Sequence, residues 1–389
     1  MGVYLIILVT VLTHTSFKGS KVLISLYAID LGANPFAIGV LFSMYSLFPV
    51  FLSVYAGRLS DRLGFRWPML FGACGLLAGL LLPYFVPRIE TLYVSAVLIG
   101  TCYIFYTVSV QHLIGSSGEG HERTRNYSLF SLGVALTSLL GPITAGFAID
   151  SIGHRSTYLL LALFPALPIL TLLFLARLLP KHQIRSEPKP EHRVMDLVRN
   201  MPLRRALITT GIVETGLELF NFYLPIYAHS IGFSASQIGI IMGAFALALL
   251  VVRTLMPILV RRSSEERVLS ASLFLAGISC VLFPFVSSFT LLLVMSFTLG
   301  LGLGCGSPLS MVLAYNRSPP GRSGEAMGLR QTVNKATEVV VPIFFGTIGT
   351  ALGMIPVFWL DAVMLAAGAM LMRRDVARSK MREGVKGQQ

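Results

Sequence analysis

The chain is divided by apolar runs of bilayer length. A helix rises about 1.5 Å per residue, so about 20 mainly apolar residues cross a hydrocarbon core. About twelve runs meet that length. They lie near 3–29, 36–56, 67–87, 91–114, 126–149, 156–178, 204–229, 236–260, 268–287, 289–314, 325–348 and 353–372. The connections between them alternate in charge. With the N-terminus inside, the inside segments (57–67, 115–126, 177–205, 261–267, 315–324 and the tail after 372) hold most of the 31 Lys and Arg. The outside loops hold Arg88 and Arg155. Basic residues are retained on the cytoplasmic side of a membrane, so both termini are expected there. The pattern predicts an all-α membrane protein of twelve transmembrane helices.

Composition supports the bilayer as solvent. The chain is 54% hydrophobic and 13% charged, where soluble domains carry about 25% charged residues. The net charge of +13 would suit nucleic acid, but the bases sit between apolar runs and not on one module. No nucleic-acid partner is expected. Cys74, Cys102, Cys280 and Cys305 each fall inside an apolar run, without metal-ligand spacing, and read as small buried side chains. The first run follows Met1 without a basic leader and reads as a span, not a cleaved signal.

The longest connection divides the spans six and six. It contains Pro180, Pro188 and Pro190, then a stretch at 193–200 that reads as a short amphipathic helix on the membrane face. The expected organisation is an N-terminal six-helix bundle (1–178), a cytoplasmic linker (179–203), a C-terminal six-helix bundle (204–372) and a cytoplasmic tail (373–389). The halves echo each other. At a shift of 200, GPITAG at 141–146 lies over VPIFFG at 341–346, so Pro142 meets Pro342 and Gly146 meets Gly346. The basic hairpin GRLSDRLGFRW at 57–67 has a weaker echo at 257–267, where Pro257 and Arg261 replace the glycine and the acid. Internal repeats of this kind mark many secondary transporters.

These residues resemble the major facilitator superfamily over essentially the whole chain. The family's loop pattern between its second and third helices, Gly-x-x-x-Asp-Arg-x-Gly-x-Arg, stands here as Gly57, Asp61, Arg62, Gly64 and Arg66, with Trp67 in place of a further base. An exporter pattern in the fifth helix stands as Gly133, Gly141-Pro142 and Ala145-Gly146. The resemblance implies two pseudo-symmetric six-helix bundles around a cavity that opens alternately to each side. It implies that Gly57 and Gly64 permit a tight turn and that Asp61 latches the cytoplasmic side against a helix N-terminus of the other half. Arg62 and Arg66 would pair with acids or lipid phosphate. Gly133, Gly141, Pro142 and Gly146 would let the fifth helix bend and pack closely.

Charges inside spans are costly and point to function. His14, Lys18 and Lys21 share one face of the first span; Glu214, Glu218 and Asn221 repeat that spacing in the seventh. In the eleventh, Arg330, Asn334 and Glu338 form a stripe beside Gln331 and Lys335. The resemblance implies that these three helices line the cavity. Two readings stay open. The bases bind an anionic substrate while one of Glu214, Glu218 and Glu338 titrates, or the charges pair as Lys–Glu contacts joining the halves. Arg253 reads as structural and His112 as interfacial; Asp361 has no assigned role.

Some chemistries lack a motif. There is no G-x-x-x-x-G-K-[ST] for an ATP-driven pump, and no H-E-x-x-H or G-x-S-x-G for hydrolysis. GLGLGCG at 300–306 reads as a packing face. No enzyme activity, cofactor or metal is expected. Drug exporters of the family carry an arginine early in the fourth helix, where this chain reads SAVLIGTCY. Many also carry an acid in the first helix, where this chain has Lys18 and Lys21. The expectation is a monomeric, multi-pass transporter of a bacterial-type inner membrane. It exports a small organic anion or amphipathic solute in exchange for protons, with lipid as its surroundings. An uptake symporter or anionic-lipid flippase is the alternative within transport, and a membrane sensor or intramembrane enzyme the alternative outside it.

Overall fold

The computed structural model describes residues 2–116, 120–174, 194–318 and 323–386. Among them every regular element is helical. The order is α1 (Gly2–Asp30), α2 (Pro35–Leu63), α3 (Arg66–Phe85), α4 (Ile89–Ser116), α5 (Gly120–Phe174), α6 (Val194–Arg199), α7 (Met201–Ser230), α8 (Ala235–Arg262), α9 (Glu265–Leu282), α10 (Phe289–Gly304), α11 (Gly306–Asn316), α12 (Ser323–Leu352) and α13 (Ile355–Lys386). A 3-10 turn at Phe283–Phe285 follows α9. α5 is two spans joined at Gly153, whose φ of 79° is not helical. α10 and α11 make one crossing interrupted at Cys305, and α6 is the short helix expected in the linker. The remaining long helices complete twelve crossings.

Turn geometry carries the internal repeat further than composition does. Left-handed glycines recur 200 residues apart: Gly32 with Gly232, and Gly153 with Gly353. At Gly32 and Gly232 a reversal between two spans is made in a few residues, with φ of 82° and 91°, a region that side chains with a Cβ avoid. The third left-handed turn breaks the symmetry. Gly64 has φ 73°, whereas its counterpart Ser264 is an ordinary N-cap whose side chain accepts from Arg267 N at 3.3 Å.

That turn is shorter than the sequence suggested. α2 runs through to Leu63, so Gly57, Asp61 and Arg62 are helical, and only Gly64 and Phe65 lie between α2 and α3. The segment RLSDRL is rich in good helix formers, and one left-handed glycine suffices to end the helix. Gly57 is therefore not a turn residue. The side chains of Asp61 and Arg62 lie outside the described residues.

Contacts divide the chain into two compact units. One comprises residues 1–189 with 224–243; the other comprises 190–223 with 244–389. In the first unit, Phe65, Met69, Ala73, Tyr106, Val110, Leu113, Phe130 and Leu172 share a buried core. Small residues let the helices approach, as expected where lipid gives no hydrophobic drive. A Cβ on Gly72 would fall 2.7 Å from the Cys102 carbonyl and from the Tyr106 backbone of α4. In the second unit, the glycines at 300–306 spread over three neighbours instead of forming one face. Gly300 and Gly304 lie against α8, Gly302 against Ala276 of α9, and Gly306 against Val213 of α7. Ser270 of α9 donates to the Ala369 carbonyl of α13 at 2.9 Å.

Candidate functional site

The second unit gathers charge from α7 and α12. Glu214 and Glu218 lie one turn apart on α7, and Glu338 reaches them from α12. Carboxylate oxygens of the three lie within 4.8 Å of one another. Glu218 is buried; Glu214 and Glu338 are half-buried. Lys335, one turn before Glu338, donates to Glu338 Oε1. This ion pair lies within one helix and does not join the halves. Three acids thus share one lysine, and the net charge of the group depends on how many protons it holds.

Arg330 is on the same helix but is held elsewhere. It is buried, and its Nη2 donates to the Ser307 carbonyl at 3.0 Å and to Ser307 Oγ at 2.9 Å, with Ser310 Oγ at 3.5 Å. It thereby braces the first turn of α11 just past the interruption at Cys305. The sequence reading missed Ser307 and Ser310; the available signal was a pair of small hydroxyls three apart next to a glycine-rich break. Arg253 does matching work on the other side of the break, donating from Nε to the Gly304 carbonyl at 3.3 Å. Asn334 is buried and donates from Nδ2 to Gln331 Oε1 at 3.4 Å. Asn221 donates to the Leu217 carbonyl at 2.8 Å. Asp361 is buried in α13 and accepts from the Cys280 thiol at 3.4 Å.

The first unit carries the basic stripe of α1, in three different settings. His14 is buried among rings, with Tyr103 at 5.0 Å, Tyr106 at 6.3 Å and Phe130 at 6.4 Å between centroids. The Lys21 ammonium lies 5.5 Å from the Phe42 ring centroid, 5.9 Å from Phe17 and 6.0 Å from Tyr45, distances at which a cation is attracted to a π-face. Lys18 is half-buried, and its stem lies against Gly141. A Cβ on Gly141 would fall 2.6 Å from Lys18 Cβ and 3.0 Å from the Thr15 carbonyl. The glycine-proline motif of α5 therefore makes room for the α1 lysine.

The other α5 glycines face two partners. Gly133 lies against Val11 and Ile7 of α1. Gly146 lies against the α7–α8 turn, where a Cβ would fall 2.3 Å from the Ala235 carbonyl. Pro142 lies within α5, and its carbonyl is 2.6 Å from the position of a Cβ on Gly239.

Arg66, expected to pair with an acid or a lipid, is bonded to the backbone of α5. Its Nε donates to the Leu172 carbonyl at 3.1 Å and its Nη2 to Leu173 at 3.5 Å. Arg66→Ala is expected to cost about 1.5–3 kcal/mol, as for a hydrogen bond from a charged group. A lowered thermal unfolding midpoint in detergent, partly restored by Arg66→Lys, would show it.

Comparison with known proteins gives one consistent result. The family model of the Major Facilitator Superfamily matches residues 6–227 and 206–388. The chain is 25% identical over 392 residues to the multidrug resistance protein MdtG of Dickeya zeae, covering 95% of this chain and 93% of that one. It is 21% identical over 359 residues to the quinolone resistance protein NorA of Staphylococcus aureus, covering 92% of both. Among solved structures, a peptide transporter POT in complex with sulfate superposes with a TM-score of 0.83 at 14% identity, covering 97% of this chain and 94% of that one. A POT family transporter in complex with 5-aminolevulinic acid gives 0.80 at 16% identity, covering 95% of both. Helix count, internal repeat and family model agree, and the chain belongs to the major facilitator superfamily of membrane transporters.

Proposed function

We propose that the protein exports a small organic anion or amphipathic acid across the inner membrane by alternating access, in exchange for protons. Both termini are then cytoplasmic, and the α1–α2, α5 and α7–α8 turns lie on the outer side. The observation that carries the reading is the separation of charge by unit. The α7–α12 group sets three carboxylates against one lysine, so its charge changes with proton occupancy. The α1 stripe supplies base only. In this reading the bases of the α1 stripe, Lys18 and Lys21, take the substrate anion, and Glu214, Glu218 and Glu338 take the coupling proton.

A second reading follows from the same group. Three carboxylates can also take the cationic end of an amphipathic drug, and the relatives named for multidrug and quinolone resistance support it. Flux into proteoliposomes separates the two. Under an imposed pH gradient, a panel of amphipathic anions is expected to be transported, and Lys18→Ala with Lys21→Ala to reduce that flux about tenfold or more, equivalent to about 1.4 kcal/mol. Transport of cations alone, insensitive to both substitutions, would favour the second reading. Flux driven by a sodium gradient and indifferent to pH would reject the proton.

A further inference from the structure

The N-terminus of α8 is fully satisfied, and part of what satisfies it comes from α5. A helix leaves its first N–H groups without intrahelical acceptors. Here Ser234 and Gln237 form a capping box: Gln237 N donates to Ser234 Oγ at 3.3 Å, and Ser234 N to Gln237 Oε1 at 3.0 Å. The two donors between them go to Asp150. Ala235 N donates to Asp150 Oδ1 at 3.1 Å and Ser236 N to Asp150 Oδ2 at 2.8 Å. A carboxylate at this end also suits the helix dipole. Asp150 sits one helical turn beyond Gly146, where α5 and α8 meet at backbone distance. Below it, Pro142 and Ile143 pack on Gly239, and Leu139 and Ile143 on Gly243.

We propose that Asp150 is a latch for the outer end of the transport path: its carboxylate holds the first turn of α8 on α5 and releases it when the outer side opens. The internal repeat shows that this latch is specific to one pair of helices. At a shift of 200, Ala235 corresponds to Pro35, which has no N–H, and Asp150 to Thr350. The Thr350 hydroxyl is already engaged with the Gly346 carbonyl at 2.9 Å. The α2 N-terminus thus lacks one of the two donors, and the counterpart of Asp150 is no acid. The stretch at 57–67 is one-sided too, since its repeat at 257–267 has Arg261 at the position of Asp61.

The proposal rests on the alternating-access reading, so its test is read as accessibility and not as transport. A reporter Leu139→Cys, packed against Gly243, is placed in a Cys74→Ser background, because Cys74 is the exposed native cysteine. Intact cells are treated with a membrane-impermeant thiol reagent. Asp150→Asn is expected to raise the labelling rate several-fold and Asp150→Ala to raise it further, while Asp150→Glu stays near the parent. Ala235→Pro tests the donor side. It copies the natural Pro35 and is tolerated in a first helical turn, so it removes one N–H without breaking α8. It too should raise labelling. Labelling unchanged in both Asp150→Ala and Ala235→Pro would overturn the latch, whatever those variants transport. An increase in labelling in these variants, with transport absent in the parent protein under every gradient, would instead reject the transport reading and leave the latch standing.

Discussion

Glu218→Gln is expected to abolish proton-driven accumulation while leaving downhill exchange of substrate measurable. The substitution keeps size and hydrogen-bonding capacity and removes only the ability to change charge. Glu218 is the most buried of the three carboxylates, at 6% exposure, and it shares a cluster with Glu214 and Glu338. A transporter coupled through this group needs the group to gain and lose a proton between its two accessible states. With a permanently neutral amide at this position the remaining acids face Lys335 with a different net charge, and one coupled proton is lost. Uphill flux should fall to the vesicle background. Exchange of labelled for unlabelled substrate at equal pH should fall by no more than about tenfold, or about 1.4 kcal/mol in the rate-limiting barrier. Glu338→Gln is the informative partner, because it leaves Lys335 facing a neutral amide oxygen in place of a carboxylate. The pair is only partly buried, so this variant should lose coupling with a modest loss of thermal stability. If Glu218→Gln still accumulates substrate with the pH dependence of the parent, the coupling role assigned to the cluster is wrong.

The fold was legible because a bilayer makes it so. Twelve apolar runs and the basic connections between them can be read from residue type alone, since backbone groups in hydrocarbon must satisfy themselves in helices. The repeat was visible as GPITAG over VPIFFG, and the structure extends it to left-handed glycines at matching positions. The sites were less legible, for a physical reason. Helical spacing tells which residues share a face but not what the face meets. His14, Lys18 and Lys21 fit one stripe, yet His14 goes to a cage of rings, Lys18 to the gap left by Gly141 and Lys21 to three aromatic faces. Arg330 fits the α12 stripe and is drawn away by two serines. Glu214, Glu218 and Glu338 lie together because that needs only that α7 and α12 meet. Asp150 was overlooked because an acid at the end of a span is chemically ordinary until its acceptor role at another helix is seen.

Gly146→Leu should stop transport outright, and the reason is a distance between backbones. At this position even the first carbon of a side chain would stand 2.3 Å from the Ala235 carbonyl oxygen and 3.0 Å from its carbon. Contacts that close are relieved only by moving α8 or α5, because neither atom belongs to a side chain that can rotate away. Overpacking a well-packed site costs about 1–3 kcal/mol, occasionally more, and here the strain falls where α5 holds the α8 N-terminus through Asp150. Gly133→Ala is the matched control. Its Cβ would meet only Val11 Cγ2 at 3.0 Å and Ile7 Cγ2 at 3.3 Å, side-chain ends that can shift by a few tenths of an ångström. It should keep most of the flux and lose little thermal stability. Gly146→Leu should insert and remain monodisperse but show no flux under any gradient. In the Leu139→Cys background it should label from outside at least as fast as Asp150→Ala, since it forces apart the same two helices. Normal transport in Gly146→Leu would mean that α5 and α8 need not close on each other during the cycle. The glycine of the exporter pattern would then serve packing in one state only.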